Sequence, residues 1–306
     1  MSPVGASTIG TAWFLNGMEN LQQQQLQTQK ELSSGYQIQD AADSPSQTPE
    51  LINLGSTLAA VQAYQTSLGS IQTEAAAADG ALGSGISLIQ SAITTGEQGA
   101  NSISTAANDQ NLPAQIQSIQ QQLVSVANTS VGGRYIFGGD SDQSAPYSYT
   151  AAAGVTSLTN AASTRVVVDT QGQPVYQSLA AQQIFGPTDA TGAPTASNTF
   201  AALQSLVTAL NSGSASAVAD AVTSLQTAAT YVNQQQAYYG QAEQRIASEQ
   251  NTSASQVTSL QTRIGAIRDT NVTAAATDLT QESADQSASY GAEAEISTKS
   301  LFDYLG

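Results

Sequence analysis

Two long stripes of apolar positions dominate the chain. From Leu51 they advance in alternating steps of three and four: Leu51, Leu54, Leu58, Val61, Leu68, Ala75, Leu82, Ile86, Ile89, Ile93, Ala100, Ile103 and Ala107. Gln65, Gln72, Asp79 and Gly96 occupy the same phase without breaking it. Apolar residues at this spacing line one side of a helix. A single helix of that span measures roughly 85 Å, far beyond an ordinary globular helix. The pattern therefore predicts a coiled coil or a long bundle. Thr48 as cap, Pro49 at the first helical position and Glu50 near the positive end of the dipole mark its start. Gly69, Gly80, Gly83 and Gly85 argue against a perfectly straight rod. The second stripe runs Val218, Val222, Leu225, Ala229, Val232, Gln236, Tyr239, Glu243, Ile246, Gln250, Ser253, Val257, Leu260, Ile264 and Ile267. It is about as long as the first, so the two can pair along their lengths.

Shorter patterns fill the space between. Asn108 to Pro113 reads as a turn. Leu112, Ile116, Ile119, Leu123 and Val126 then form one helical stripe, which should fold back on the first long helix as a hairpin. After Gly132 the chain turns to Gly, Ser, Asp and aromatics. Thr164 to Asp169 is a strand candidate with Gln171-Gly172 as the turn behind it, and Pro174 to Tyr176 and Ile184-Phe185 are further short strands. Phe200, Leu203, Val207 and Leu210 resume the helical period until Asn211 to Ser214 break it.

The ends are weaker. Leu15, Met18, Leu21, Leu26 and Leu32 are diluted by Gln22 to Gln25, and Leu279, Ile296, Leu301, Phe302, Tyr304 and Leu305 are spread among Ala, Ser and Gln. Such segments bury too little to fold alone and should order on a partner. The expected organisation is mainly α. Terminal helical segments at 1–47 and 271–306 stay disordered in an isolated chain. A long bundle is built from 48–134 and 198–270, and a small β-rich insertion at 135–197 is dispensable to it.

Composition narrows the function. Charged residues are 10% of the chain, against ~25% in average proteins, and 7 basic residues face 23 acidic ones for a net charge of −16. No basic patch for a phosphate backbone or an anionic membrane can be assembled from so few cations. Cysteine and histidine are both absent, which removes disulfides, thiolate nucleophiles and histidine-based acid–base chemistry. No constellation of catalytic groups, cofactor-binding loop or metal ligands emerges. Asp140-Ser141-Asp142 superficially suggests a calcium loop, but Ala151 stands where the closing glutamate is required. No apolar run is long enough to span a membrane, and Met1 to Gly10 lacks the layout of a secretory signal.

Three patches carry a resemblance. Leu32-Ser33-Ser34-Gly35-Tyr36-Gln37-Ile38 followed by Ala41-Ala42-Asp43-Ser44-Pro45 resembles the N-terminal signature of the flagellin family. Gly133-Arg134-Tyr135-Ile136-Phe137-Gly138-Gly139, with Ala145-Pro146-Tyr147 after it, is similar to a segment of the family's hook–filament junction members. Ser300 to Leu305 resembles their C-termini. There are departures: no basic residue follows Met1, a glutamine stands at 37 where a basic residue is common, and Asp43-Ser44 replaces a doubled aspartate.

The resemblance implies a long helical bundle formed by the two halves of the chain, exported unfolded without a cleaved signal into the extracellular flagellum. It implies packing against copies of itself in a ring, another hook-associated protein on one side, flagellin on the other and an export chaperone beforehand. In this picture Leu15, Met18, Leu21, Leu26, Leu32, Leu301, Phe302, Tyr304 and Leu305 form the assembly interface. Leu58, Leu82, Ile86, Ile89, Ile93, Ile103, Ile116, Ile119, Leu123, Leu225, Val232, Ile246, Val257, Leu260 and Ile264 form the bundle core. A filament subunit is the neighbouring alternative, and a secreted coiled-coil scaffold is the alternative of another class. Arg134, where helix gives way to the insertion, serves either a surface ion pair or a clamp on backbone carbonyls.

Overall fold

The computed structural model describes residues 4–102, 111–151, 153–159, 165–169, 172–191 and 193–298. Seven helices are present among them: α1 (Val4–Ser34), α2 (Thr48–Ser102), α3 (Leu112–Ala127), α4 (Ala181–Phe185), α5 (Thr199–Ser212), α6 (Ala215–Arg268) and α7 (Val272–Thr298). Six short strands pair antiparallel as β1 (Ser130–Val131) with β2 (Arg134–Tyr135), β3 (Tyr147–Thr150) with β4 (Gly154–Ser157), and β5 (Val166–Val168) with β6 (Pro174–Gln177). The chain divides into two compact units, one of residues 63–254 and one of 1–62 with 255–306.

In the unit 63–254 the stripes become the core. Leu68, Leu82 and Ile89 on α2, Ile116 and Leu123 on α3, and Leu225, Val232 and Ile246 on α6 are fully buried, while Ile86 and Ile119 are nearly so and Ile93 is half-buried. Ile103 and the first half of the turn, 108–110, lie outside the described residues. Gln72 is exposed and Ile71 buried in its place. Apolar side chains win the interior wherever the phase lets them, because burying one contributes about 1.5–3 kcal/mol. Helix α2 continues through Gly69, Gly80, Gly83 and Gly85.

The long helices also satisfy many of their own hydroxyls. Thr57, Thr73, Ser84, Ser87, Ser91, Thr94 and Thr95 on α2 each donate to the carbonyl four residues back. Thr223, Ser224, Thr227, Thr230, Thr252 and Thr262 do the same on α6. These bonds give the helices a polar surface that needs no charge.

The segment 135–197 is not set apart from the helices. Ile136, Phe137, Tyr147, Val175, Tyr176, Ile184 and Phe185 join the same core cluster as α2, α3, α5 and α6. Rings of Phe137 and Phe185 meet edge-on at 6.0 Å, Phe137 and Tyr239 at 6.2 Å, and Tyr147 and Phe200 at 4.7 Å. The reason is size. Two-stranded ribbons of two to four residues cannot cover their own apolar faces, so they lay them on the helices. Ile184 and Phe185, expected in a strand, sit on the single turn and a half of α4. A five-residue element carries too little periodicity to be told from a strand.

Specific polar bonds fasten this segment down. Tyr231 Oη on α6 donates to the Gln183 carbonyl at 2.7 Å and Tyr238 Oη to that of Gln177 at 2.8 Å, while Tyr239 Oη accepts from the Leu179 amide at 3.2 Å. Arg165 pairs with both oxygens of Glu74 on α2, a largely buried ion pair joining positions 91 apart in sequence. Arg134 pairs with the carboxylate of Asp142, its Nε donating at 2.6 Å, so it is an ion pair and not a carbonyl clamp. Burial opposes the Asp142 charge, but Arg134 and Gln143 outweigh it and hold that carboxyl below its ordinary range. At the same corner a Cβ on Gly138 would stand 2.6 Å from the Asp142 Cα, so only glycine fits there.

The buried tyrosines give the unit an alkaline limit. Burial raises Tyr147, Tyr176 and Tyr239 well above the ordinary phenol value. Burial, reinforced by Glu249, pushes Tyr64 up to about 12. An acid with a raised folded pKa contributes stability that is complete below its ordinary value near 10 and is lost as the pH climbs toward the raised one. In a spectrophotometric titration the buried tyrosines should therefore ionise only above the ordinary phenol value, together with the loss of helical circular dichroism.

Candidate assembly surface

The unit of residues 1–62 and 255–306 is built around the paired terminal helices α1 and α7. The expected disordered ends are helical over their described residues, but the seam between them is polar. Gln25 Nε2 donates to the Ser283 hydroxyl at 3.2 Å, the Thr28 hydroxyl to Glu282 at 3.1 Å, and the Thr270 hydroxyl to Glu31 at 3.3 Å. Ala275 is the buried apolar residue of α7 among those described. Met18, Leu21 and Leu32 are half-buried, whereas Leu15 is 57% and Leu26 59% exposed. Trp13 at 77% and Tyr290 at 59% extend the uncovered apolar surface, and neither was singled out from sequence because each stands alone in its stretch. Leu301, Phe302, Tyr304 and Leu305 lie outside the described residues.

The signature Leu32 to Pro45 makes the corner that ends α1. Gly35 adopts φ of 77°, a left-handed conformation that favours glycine, and closes the helix with its amide on the Glu31 carbonyl at 2.8 Å. The chain then pairs with the end of α6. The Gln37 amide donates to the Arg268 carbonyl at 2.8 Å and the Thr270 amide to that of Gly35 at 2.9 Å. The Arg268 guanidinium lies 4.0 Å from the centre of the Tyr36 ring. Gln37 donates its side-chain amide to the Ile267 carbonyl at 2.7 Å. A neutral donor thus holds a carbonyl that a cation could also hold.

Asp43 folds the second half of the corner. Its carboxylate accepts the backbone amides of Gln39 at 2.9 Å and Asp40 at 2.8 Å, and these bonds, with Lys30 nearby, hold its pKa below the ordinary value. Thr48, read as a cap, already lies inside α2, and its hydroxyl donates to the Ser44 carbonyl at 2.8 Å. Beyond the corner Leu54 and Val61 are buried, and Leu58, Val257, Leu260 and Ile264 are half-buried. Arg263 and Glu50 form an exposed pair at 3.5 Å, worth little in water.

The corner's polar groups are spent on one another, while the terminal helices present large apolar side chains to solvent. Uncovered apolar surface of this kind marks an interaction site. Among the described residues no helix is long and apolar enough to cross a membrane.

Comparison with known proteins points the same way. Residues 11–142 match the model of the bacterial flagellin N-terminal helical region. Flagellar hook-associated protein 3 of Escherichia coli K12 is 24% identical over 212 residues, which is 67% of this chain and 66%, just under two thirds, of that protein. Among solved structures, a flagellar hook-associated protein from Vibrio parahaemolyticus superimposes with a TM-score of 0.63 at 17% identity, covering 74% of this chain and 99% of its own. Bacillus cereus FlgL superimposes with a TM-score of 0.54 at 16% identity, covering 70% and 99%. The chain thus carries an N-terminal region similar to the helical N-terminal region of bacterial flagellins, including the signature corner, and shares its fold with hook-associated proteins.

Proposed function

We propose that this chain is a structural subunit of the bacterial flagellum that joins hook to filament. The observation that carries the reading is the similarity to hook-associated protein 3 across two thirds of the chain. The junction-type segment Gly133 to Gly139 supports it over a filament subunit, because Phe137 and Gly138 are fixed there by tight packing and not by chance composition. The role asks for no catalysis.

In this reading α1 and α7 are completed by their neighbours. A polar seam with exposed Leu15, Leu26 and Trp13 is marginal in an isolated chain and becomes buried when like subunits pack in a ring. Leu301, Phe302, Tyr304 and Leu305 would join that interface, and a chaperone would hold them before export. One face of the ring meets another hook-associated protein and the other meets flagellin. Export proceeds unfolded, a route suited to a chain with no cysteine.

The test is complementation. In a strain lacking the gene, hooks without filaments are expected by electron microscopy, and the intact chain should restore both filaments and swimming. Leu15→Ser with Leu26→Ser, and truncation after Thr298, should each melt like the parent and fail to restore them. Normal filaments in the deletion strain would refute the junction role. A sharply lowered melting temperature in the double variant would place those leucines in the monomer's own core.

A further inference from the structure

A cleft of about 710 Å³ opens in the unit 63–254, walled by α3, α5 and the β3–β4 hairpin. That volume lies in the range of small-molecule sites, about 300–1,000 Å³. Among the described residues no charged side chain lines it, even though the molecule as a whole is strongly acidic. Its polar groups are phenol and amide. Tyr147 is 5% exposed, lines the cleft, and its hydroxyl hydrogen-bonds to no described residue. Gln120 is 1% exposed, and its Nε2 reaches Gln204 Oε1 only at 3.4 Å, a long bond that leaves other donors and acceptors of both amides unused among the described residues. Gln182 gives its amide hydrogens to the Ser157 hydroxyl at 3.0 Å and to Thr159, and its own Oε1 is buried without a partner. Apolar surface stands beside these groups: Phe200 in the wall, and Leu158 at the rim, 57% exposed.

The buried Gln182 Oε1 without a partner is costly unless something bonds it, and the Tyr147 hydroxyl and the amides of Gln120 and Gln204 line the same cleft. Each amide both donates and accepts, which matches a hydroxyl that does the same. Among the described residues of the wall no cation or carboxylate stands ready to meet an ionic ligand. We propose that this cleft binds a neutral saccharide, its hydroxyls meeting Tyr147, Gln120 and Gln204 and its C–H face resting on Leu158 and Phe200. A disaccharide fits the volume.

Isothermal titration of the full chain with maltose and with cellobiose tests this. At least one should bind saturably, and glucose 6-phosphate should bind more weakly than either. Tyr147→Phe keeps the ring in the core and removes only the hydroxyl. Gln204→Leu changes an exposed position of α5 and spares the core. Each should weaken binding about fivefold with an unchanged melting temperature, the effect of one neutral hydrogen bond. Three results would overturn the proposal: no saturable binding of either sugar, binding that neither variant alters, or tighter binding of an uncharged Gly-Ser-Asn peptide.

Discussion

Ile89→Asp is expected to unfold the unit 63–254 at ordinary temperature. Ile89 is fully buried on α2, in one cluster with residues of α3, α5 and α6. The substitution puts a carboxylate where neither water nor a cation can reach it. The cost exceeds about 3 kcal/mol before any cavity is counted, and a whole domain has only about 5–15 kcal/mol to lose. Two controls isolate the cause. Ile89→Val removes one methylene and should cost about 1 kcal/mol. Ile52→Asp places the same charge on the same helix at a position 65% exposed, and should change stability by less than about 0.5 kcal/mol. Thermal melting followed by circular dichroism reads all three. A parent-like melt for Ile89→Asp would mean that the seam of the unit lies elsewhere.

Replacing residues 141–198 by a short Gly-Ser linker should abolish cooperative melting. A free-standing insertion would leave the helices untouched, but this segment supplies Tyr147, Val175, Tyr176, Ile184 and Phe185 to the common core. Its loss uncovers Phe137, Phe200 and Tyr239 and leaves the half-buried Glu74 without Arg165. At about 1.5–3 kcal/mol for each large side chain, five of them approach the stability of the whole domain. Phe185→Ala probes the same packing with one residue and should cost about 3–5 kcal/mol. Retained helical content with a single sharp transition in the linker variant would show the segment to be a passenger.

What could be read in advance follows from what repeats. The stripes through Leu82 and Ile89, and through Leu225 and Ile246, recur over many turns, and each added turn strengthens the assignment. They gave α2 and α6, and the break at Asn211 to Ser214 gave the end of α5, where Gly213 takes a φ of 65°. The sequence of the middle segment carries no such repetition. Whether β3, β4 and α4 stand apart or lie against helices depends on which aromatics find a common interior, a question of tertiary packing that spacing does not encode. The Glu74–Arg165 pair crosses 91 positions, and Tyr231 and Tyr238 bond backbone carbonyls that any residue would offer. Arg134 drew attention through its place beside a turn, yet Arg165 is the residue that ties the segment to α2. At the surface, Leu15 and Leu26 were legible as apolar residues in a diluted stripe. Trp13 and Tyr290 were not, since a lone aromatic does not say which way it faces.

The hydroxyls that bond their own helices have a consequence for how the molecule responds to ionic strength. Because α2 and α6 obtain their polar surface from serine and threonine, the protein has few attractive charge pairs to lose when salt is added. Its 23 acidic residues against 7 basic ones leave a surplus of mutual repulsion instead. Mobile ions screen exposed charges over about 10 Å at 0.1 M, and here they screen more repulsion than attraction. Brine should tighten this fold, the reverse of its effect on a surface held together by exposed ion pairs.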